Sequence, residues 1–178
     1  QTVADERMRL LDAHLLVDLM QMRRDVREWR EMVELALARV GTLLLVGDFS
    51  AAALIVESVR LQQEDHPNPE IRSAAGTALD DLLNADLMRH IAAHLDTADP
   101  TVLSGVKRFC HAVGASVVPH LAEVLSREER ARPRQHLLAL LTSFGPAGRQ
   151  AVERLMQSSN AAVRRTAVLL VRAFGGDD

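Results

Sequence analysis

Residues 163–176 read VRRTAVLLVRAFGG. The same pattern stands earlier as PRQHLLALLTSFG (133–145), as VLSGVKRFCHAVG (102–114) and, more loosely, as IRSAAGTALDDLL (71–83). Aligned on Ile71, Val102, Pro133 and Val163, the copies are 31, 31 and 30 residues apart. Four positions on stand Ala75, Val106, Leu137 and Ala167; seven on, Ala78, Phe109, Leu140 and Leu170. Eight on stand Leu79, Cys110, Leu141 and Val171; eleven on, Leu82, Val113, Phe144 and Phe174. Offsets 0, 4, 7, 8 and 11 make one apolar stripe along an α-helix. Offset twelve holds Gly114, Gly145 and Gly175, the expected left-handed stop. Asn68-Pro69, Asp99-Pro100 and Asn160 precede the stripes and predict capped helix starts.

A second helix is predicted after each stripe, from LMRHIAAHL (87–95), VVPHLAEVL (117–125) and GRQAVERLM (148–156). Leu95, Leu125 and Met156 form one column and Ile91, Leu121 and Val152 another. Each unit is therefore a helix pair of about 30 residues that cannot bury both its faces alone, and stacking on its neighbours supplies the missing contacts.

NPEIRSAAGTAL, DPTVLSGVKRF and NAAVRRTAVLL resemble HEAT-like repeats of the short bacterial kind. The resemblance implies an all-α fold, a right-handed α-α superhelix of about nine to ten helices without a sheet. The repeats are read as 68–98, 99–129, 130–159 and an incomplete 160–178, one continuous domain with residues 1–67 as a helical cap. In such repeats the arginine after the stripe start belongs to a structural ladder. Arg72, Arg134 and Arg164 match it and Leu103 does not.

Within 1–67, ERMRLLDAHLLVDLM (6–20) predicts an amphipathic helix, and Asp25 is placed to cap a longer one over 26–46. In that second helix Trp29, Val33, Ala36, Leu37 and Val40 echo the stripe, with Gly41 at offset twelve. FSAAALIVESVRLQ (49–62) reads as a third helix and EDHPNP (64–69) as a linker.

The chemistry expected from these residues is sparse. His90 and His94 have a one-turn spacing that can hold a metal, but His94 shares a column with Val124 and Leu155 and reads as core. Cys110 lies in the stripe and behaves as a small hydrophobe. Its neighbour His111 points elsewhere, because adjacent helical residues do not face each other. Phe109, Phe144 and Phe174 read as core aromatics. SREERARPR (126–134) mixes four arginines with two glutamates, as a solvated turn or as a contact for an acidic partner.

No catalytic residue, cofactor site or metal site is assigned. The chain lacks a Gly-rich phosphate loop, zinc spacing and a Ser/His/Asp signature. HEAT-like hydroxylases use His-Glu dipeptides, and none of the seven histidines here precedes Glu. Residues 1–98 hold 10 basic and 17 acidic residues, and residues 99–178 hold 11 and 7, so net charge is not that of a nucleic-acid binder. The lone cysteine permits no internal disulfide. No membrane span is expected either, and a cytoplasmic location fits.

The expectation is a non-enzymatic protein-interaction or scaffold module. The alternatives are a lyase-like accessory subunit handling a cofactor and, behind that, nucleic-acid binding. The partner, another protein or further domains of a longer parent chain, is expected on the second helices, at Arg89, His90, His120, Glu123, Gln150 and Arg154. Because the chain stops after a first helix, its final stripe is expected to be open, inviting continuation past Asp178 or self-association.

Overall fold

Short polar side chains start the helices where the alignment places them. In the computed structural model of this chain, which describes residues 3–175, Asp25 accepts from the amides of Arg27 and Glu28. Asn68 accepts from Glu70, Asp99 from Thr101 and Asn160 from Ala162, each at 2.9 Å. Each bond satisfies an amide that the first helical turn leaves without an internal partner.

The described residues are all-α and include no strand. The helices are α1 (Val3–Met22), α2 (Val26–Leu45), α3 (Phe49–Asp65), α4 (Pro69–Leu82) and α5 (Ala85–His94). After them come α6 (Pro100–Val113), a 3-10 turn at Ala115–Val117, α7 (Val118–Arg127), α8 (Ala131–Thr142), α9 (Gly145–Leu155) and α10 (Ala161–Gly175).

The turns before α4, α6, α8 and α10 are one structure written four times. His66 Nδ1 accepts from the amide of Asn68, Thr97 Oγ1 from Asp99, Glu128 Oε1 from Arg130 and Ser158 Oγ from Asn160, at 3.0, 3.1, 2.9 and 3.2 Å. The first helical bond then closes onto the carbonyl of Asn68, Asp99, Arg130 or Asn160. Four chemically different side chains accept the same bond, so turn geometry is kept from copy to copy while residue type is not. A clamp follows in three copies. Arg72, Arg134 and Arg164 each donate through Nη1 to the carbonyl six residues back, His66, Glu128 or Ser158, at 2.6, 2.8 and 2.6 Å.

The stripe is the core. Ile71, Pro133 and Val163 are buried, as are all of Ala75, Val106, Leu137 and Ala167, and so are Phe109, Leu140, Leu170, Leu79, Cys110 and Leu141. Trp29, Val33, Ala36 and Val40 are buried likewise, so the echo of the stripe in α2 has the same orientation.

Several details differ from expectation. Gly114 and Gly145 do have left-handed backbone, at φ 93° and 58°, but Gly175 is the last residue of α10 without positive φ. Gly41 lies inside α2, which runs on to a turn at Gly47, φ 75°. Glu64 and Asp65 belong to α3, which shortens the linker. Phe144 and Phe174 are half-buried, not core. Phe144 sits at the α8–α9 corner, and the Phe174 ring lies over Gly148, its Cζ 3.0 Å from where a β-carbon would stand. Met156 follows the end of α9 and is 41% exposed, unlike Leu95 and Leu125 in its column.

The chain divides into two compact units, residues 1–87 with 108–113, and residues 88–107 with those from 114 on. In the first, α1 packs on α2 and α3, α2 on α3 and α4, and α3 on α4. Arg9 Nε donates to Asp48 Oδ2 at 2.7 Å, tying α1 to the residue that caps α3. Trp29 Nε1 donates to the buried Gln62 Oε1, joining α2 to α3. In the second unit α7 packs on α8, α9 and α10, and α10 also covers α8 and α9.

Candidate binding surface

The residues expected to meet a partner lie on α5, α7 and α9 of the second unit. Arg89, Glu123, Gln150 and Arg154 are exposed, while His90 and His120 are half-buried. Glu123 is already paired with Arg127 at 2.7 Å on the same helix. On α9, Arg149 pairs with Glu153 at 3.0 Å. Pairs one turn apart satisfy one another and leave little net charge for a partner.

The charged segment before α8 also closes on itself. Glu128 grips Arg130 with both oxygens, at 2.9 Å to Nε and 2.8 Å to Nη2, and Arg130 Nη1 reaches Asp96 at 2.9 Å. The Arg130 hydrogen bonds, side chain first and backbone second, hold the Glu128 carboxyl at about 2, well below its ordinary 4.5. Arg130 occupies the capping position held elsewhere by Asn or Asp, so α8 begins on the Glu128 carboxylate turn without a side-chain cap of its own. Arg134 is spent on backbone carbonyls as well, so of the four arginines in this segment the exposed Arg132 is the one left for an acidic partner.

Cys110 is fully buried, and desolvation pushes its thiol up to about 12. A thiol that does not ionise is no nucleophile at neutral pH. His94 is half-buried on α5. Among the described residues no group of three or more His, Cys, Asp or Glu is arranged to hold a metal ion.

Two grooves lie between first helices, in addition to a recess of about 390 Å³ formed by Met156 with Ala161, Arg164, Arg165 and Val168 of α10. In the first unit a groove of about 570 Å³ runs between α2 and α4. Its α2 wall is Trp29, Arg30, Val33, Glu34 and Leu37, and its α4 wall Ser73, Ala74, Thr77, Ala78, Asp81 and Leu82. Small residues on α4 let the floor sink between the helices, and Glu34 and Asp81 put one exposed carboxylate on each wall.

The second unit repeats the groove between α6 and α8, with about 360 Å³. Counted from the start of each stripe, both grooves use positions 1, 4 and 5 of the earlier helix: Arg30, Val33 and Glu34 in one, Leu103, Val106 and Lys107 in the other. Both use positions 3, 6 and 7 of the later helix: Ala74, Thr77 and Ala78, against His136, Ala139 and Leu140. At position 5 the charge reverses from Glu34 to Lys107, the only lysine in the chain. His136 Nδ1 lies 2.7 Å from the Leu95 carbonyl. A carbonyl only accepts, so Nδ1 is the donor in this contact.

Sequence reasoning missed these grooves because their rims look like solvated helix surface. Only the pairing of helices two elements apart makes them concave. The small residues Ser73, Ala74 and Ala78 in α4 were the available signal.

No protein-family model matches this chain, and no curated protein is significantly similar to it.

Proposed function

We propose that the chain is a non-catalytic protein-binding module, a right-handed α-α superhelix of short HEAT-like repeats that takes partners in the grooves between successive first helices. The observation that carries the reading is the recurrence of one groove, built from the same repeat positions, between α2 and α4 and again between α6 and α8. Helix pairs of this kind bury their stripes against neighbours, and the small rotation from pair to pair builds the extended concave surfaces that repeat proteins use for binding. The four equivalent turns and the packing of α1 on α3, α2 on α4, α7 on α9 and α8 on α10 support it. A cytoplasmic setting belongs to the same reading.

The α2–α4 groove suits a helical segment with apolar side chains at i, i+3 and i+4. Its test uses peptides selected on the intact chain from a displayed random library. Leu37→Arg with Ala78→Arg fills the groove with charge at half-buried sites. The selected peptides should lose at least about tenfold in affinity, roughly 1.4 kcal/mol, with the melting temperature unchanged. Full affinity for this variant, and loss on reversing Glu123 and Arg154, would return the site to the second helices.

A further inference from the structure

The groove between α6 and α8 carries charge of one sign. Leu103, Val106 and Lys107 form one wall, and His136, Ala139 and Leu140 the other. Helix α6 contains no carboxylate, and neither does α8. Arg132 is exposed and stands one turn before His136, on the same side of α8. Among the described residues neither Lys107 nor Arg132 has an ion pair or a hydrogen bond. The carboxylates close in sequence are engaged or lie outside the groove. Asp96 pairs with Arg130 at 2.9 Å, Asp99 caps α6 at the Thr101 amide, and Glu128 is held by Arg130. Glu129 stands in the turn before α8 and does not line the groove. The larger groove differs, because Arg30 shares its walls with Glu34 and Asp81.

The floor suits an apolar stripe. Ser104 and Ala139 are small and exposed, which leaves room for a side chain inserted between the helices. The bond from His136 Nδ1 to the Leu95 carbonyl, at 2.7 Å, fixes that ring in its wall before anything binds. A helix lying here turns its apolar stripe to Leu103, Val106 and Leu140, and one flank to each wall. Lys107 meets one flank and Arg132 the other. The stripe of α10, which was expected to stand open, is covered: Val163, Ala167 and Leu170 are buried.

We infer that the α6–α8 groove takes an acidic amphipathic helix of a protein partner, with Lys107 and Arg132 pairing carboxylates on opposite flanks of its apolar stripe. The inference rests on the reading of the chain as a groove-binding module and adds the chemistry of the partner at this groove. Both cations are exposed, so the pairs select the partner and speed its approach, and binding weakens as salt rises.

Lys107 is the only lysine in the chain, which makes the test specific. Helical peptides are selected on the intact chain from a displayed random library, then coupled with a carbodiimide, which joins a carboxylate to an amine it touches. Mass spectrometry should find one class of peptide joined to Lys107, with Glu or Asp on both flanks of an apolar stripe. Lys107→Glu with Arg132→Glu should weaken that class at least about tenfold, with the melting temperature unchanged. Arg7→Glu with Arg24→Glu makes the same charge change at exposed residues of the first unit and should leave its affinity intact. Should the glutamates unfold the chain, as circular dichroism would report, Lys107→Gln with Arg132→Gln serves, with a smaller loss in the same direction. Full affinity after the change at Lys107 and Arg132, or an equal loss in the two charge-reversed chains, would overturn the inference. Selected peptides that never join Lys107 and are lost with Leu37→Arg and Ala78→Arg overturn it too, yet leave groove binding standing between α2 and α4. A library that yields no binding peptide removes both readings.

Discussion

Gly148 is closely packed within the second unit. A β-carbon there would stand 2.6 Å from Phe144 Cβ, 3.0 Å from Phe174 Cζ and 3.2 Å from the Leu141 carbonyl. Backbone and a near-backbone carbon cannot retreat, so Gly148→Ala should cost about 1–3 kcal/mol in chemical denaturation, in the range of overpacked cores. Phe109 is fully buried and Phe144 half-buried. Phe109→Ala should then cost about 3–5 kcal/mol and Phe144→Ala roughly half of that. Equal losses would contradict the different burial of the two rings. Glu128 gives a pH signature. Its folded value of about 2 lies below the ordinary 4.5, so its contribution to stability is complete above pH 4.5. That contribution is lost as pH falls toward 2. The stability difference between the wild type and Glu128→Gln should therefore be constant at neutral pH and shrink through that window. A difference that grew on acidification would contradict the Arg130 pairing.

Among the elements, the four equivalent turns are the recurrent device. Asn160→Ala removes the side-chain acceptor for the amide of Ala162 and should cost about 1 kcal/mol, the ordinary value of a helix cap. Arg164→Met should cost a similar amount, since the bonds it loses to Ser158 and Ser159 are to carbonyls at an exposed turn. α8 has no side-chain cap, and Arg130 at its cap position holds the Glu128 carboxylate of the preceding turn instead, so Arg130→Ala should weaken that helix start and Arg130→Asn should restore it. Helix existence, register and caps were legible because each rests on residues close in sequence. The Asn/Asp–Pro starts and the apolar offsets placed α4, α6, α8 and α10 to within a few residues. Helix ends were less legible. Gly41 has a stop-type identity but lies inside α2, because a glycine ends a helix only where the following chain turns away, and Gly175 is the last residue of α10 without a positive φ. The burial of Phe144 and Phe174 was overread for a related reason. Their column lies at the last turn, where the cover differs from copy to copy: Val113 is buried there, while Leu82, Phe144 and Phe174 are half-buried.

At the scale of the whole molecule, the charges divide between the acidic residues 1–98 and the basic residues 99–178. The acidic share places Glu34 and Asp81 on the larger groove, and the basic share places Lys107 on the smaller one. A segment bound between α2 and α4 is therefore expected to carry cationic residues beside its apolar ones, and one bound between α6 and α8 anionic ones. This surface was not legible in the sequence. The second-helix residues Arg89, Glu123 and Arg154 were noticed because they stand beside apolar columns that read as buried, and they are exposed, but Glu123 is paired along its own helix. The groove residues come from helices separated by a third, and no spacing within one helix announces that they converge. The most direct measurement is amide chemical-shift mapping of a library-selected peptide titrated into the labelled chain, with the emission of Trp29, the single tryptophan, followed in parallel. Binding in the grooves predicts saturable shifts concentrated at Trp29, Glu34, Leu37, Ala74 and Ala78, or at Leu103, Lys107, His136 and Ala139. Shifts confined to α5, α7 and α9, with none in either groove, would contradict it.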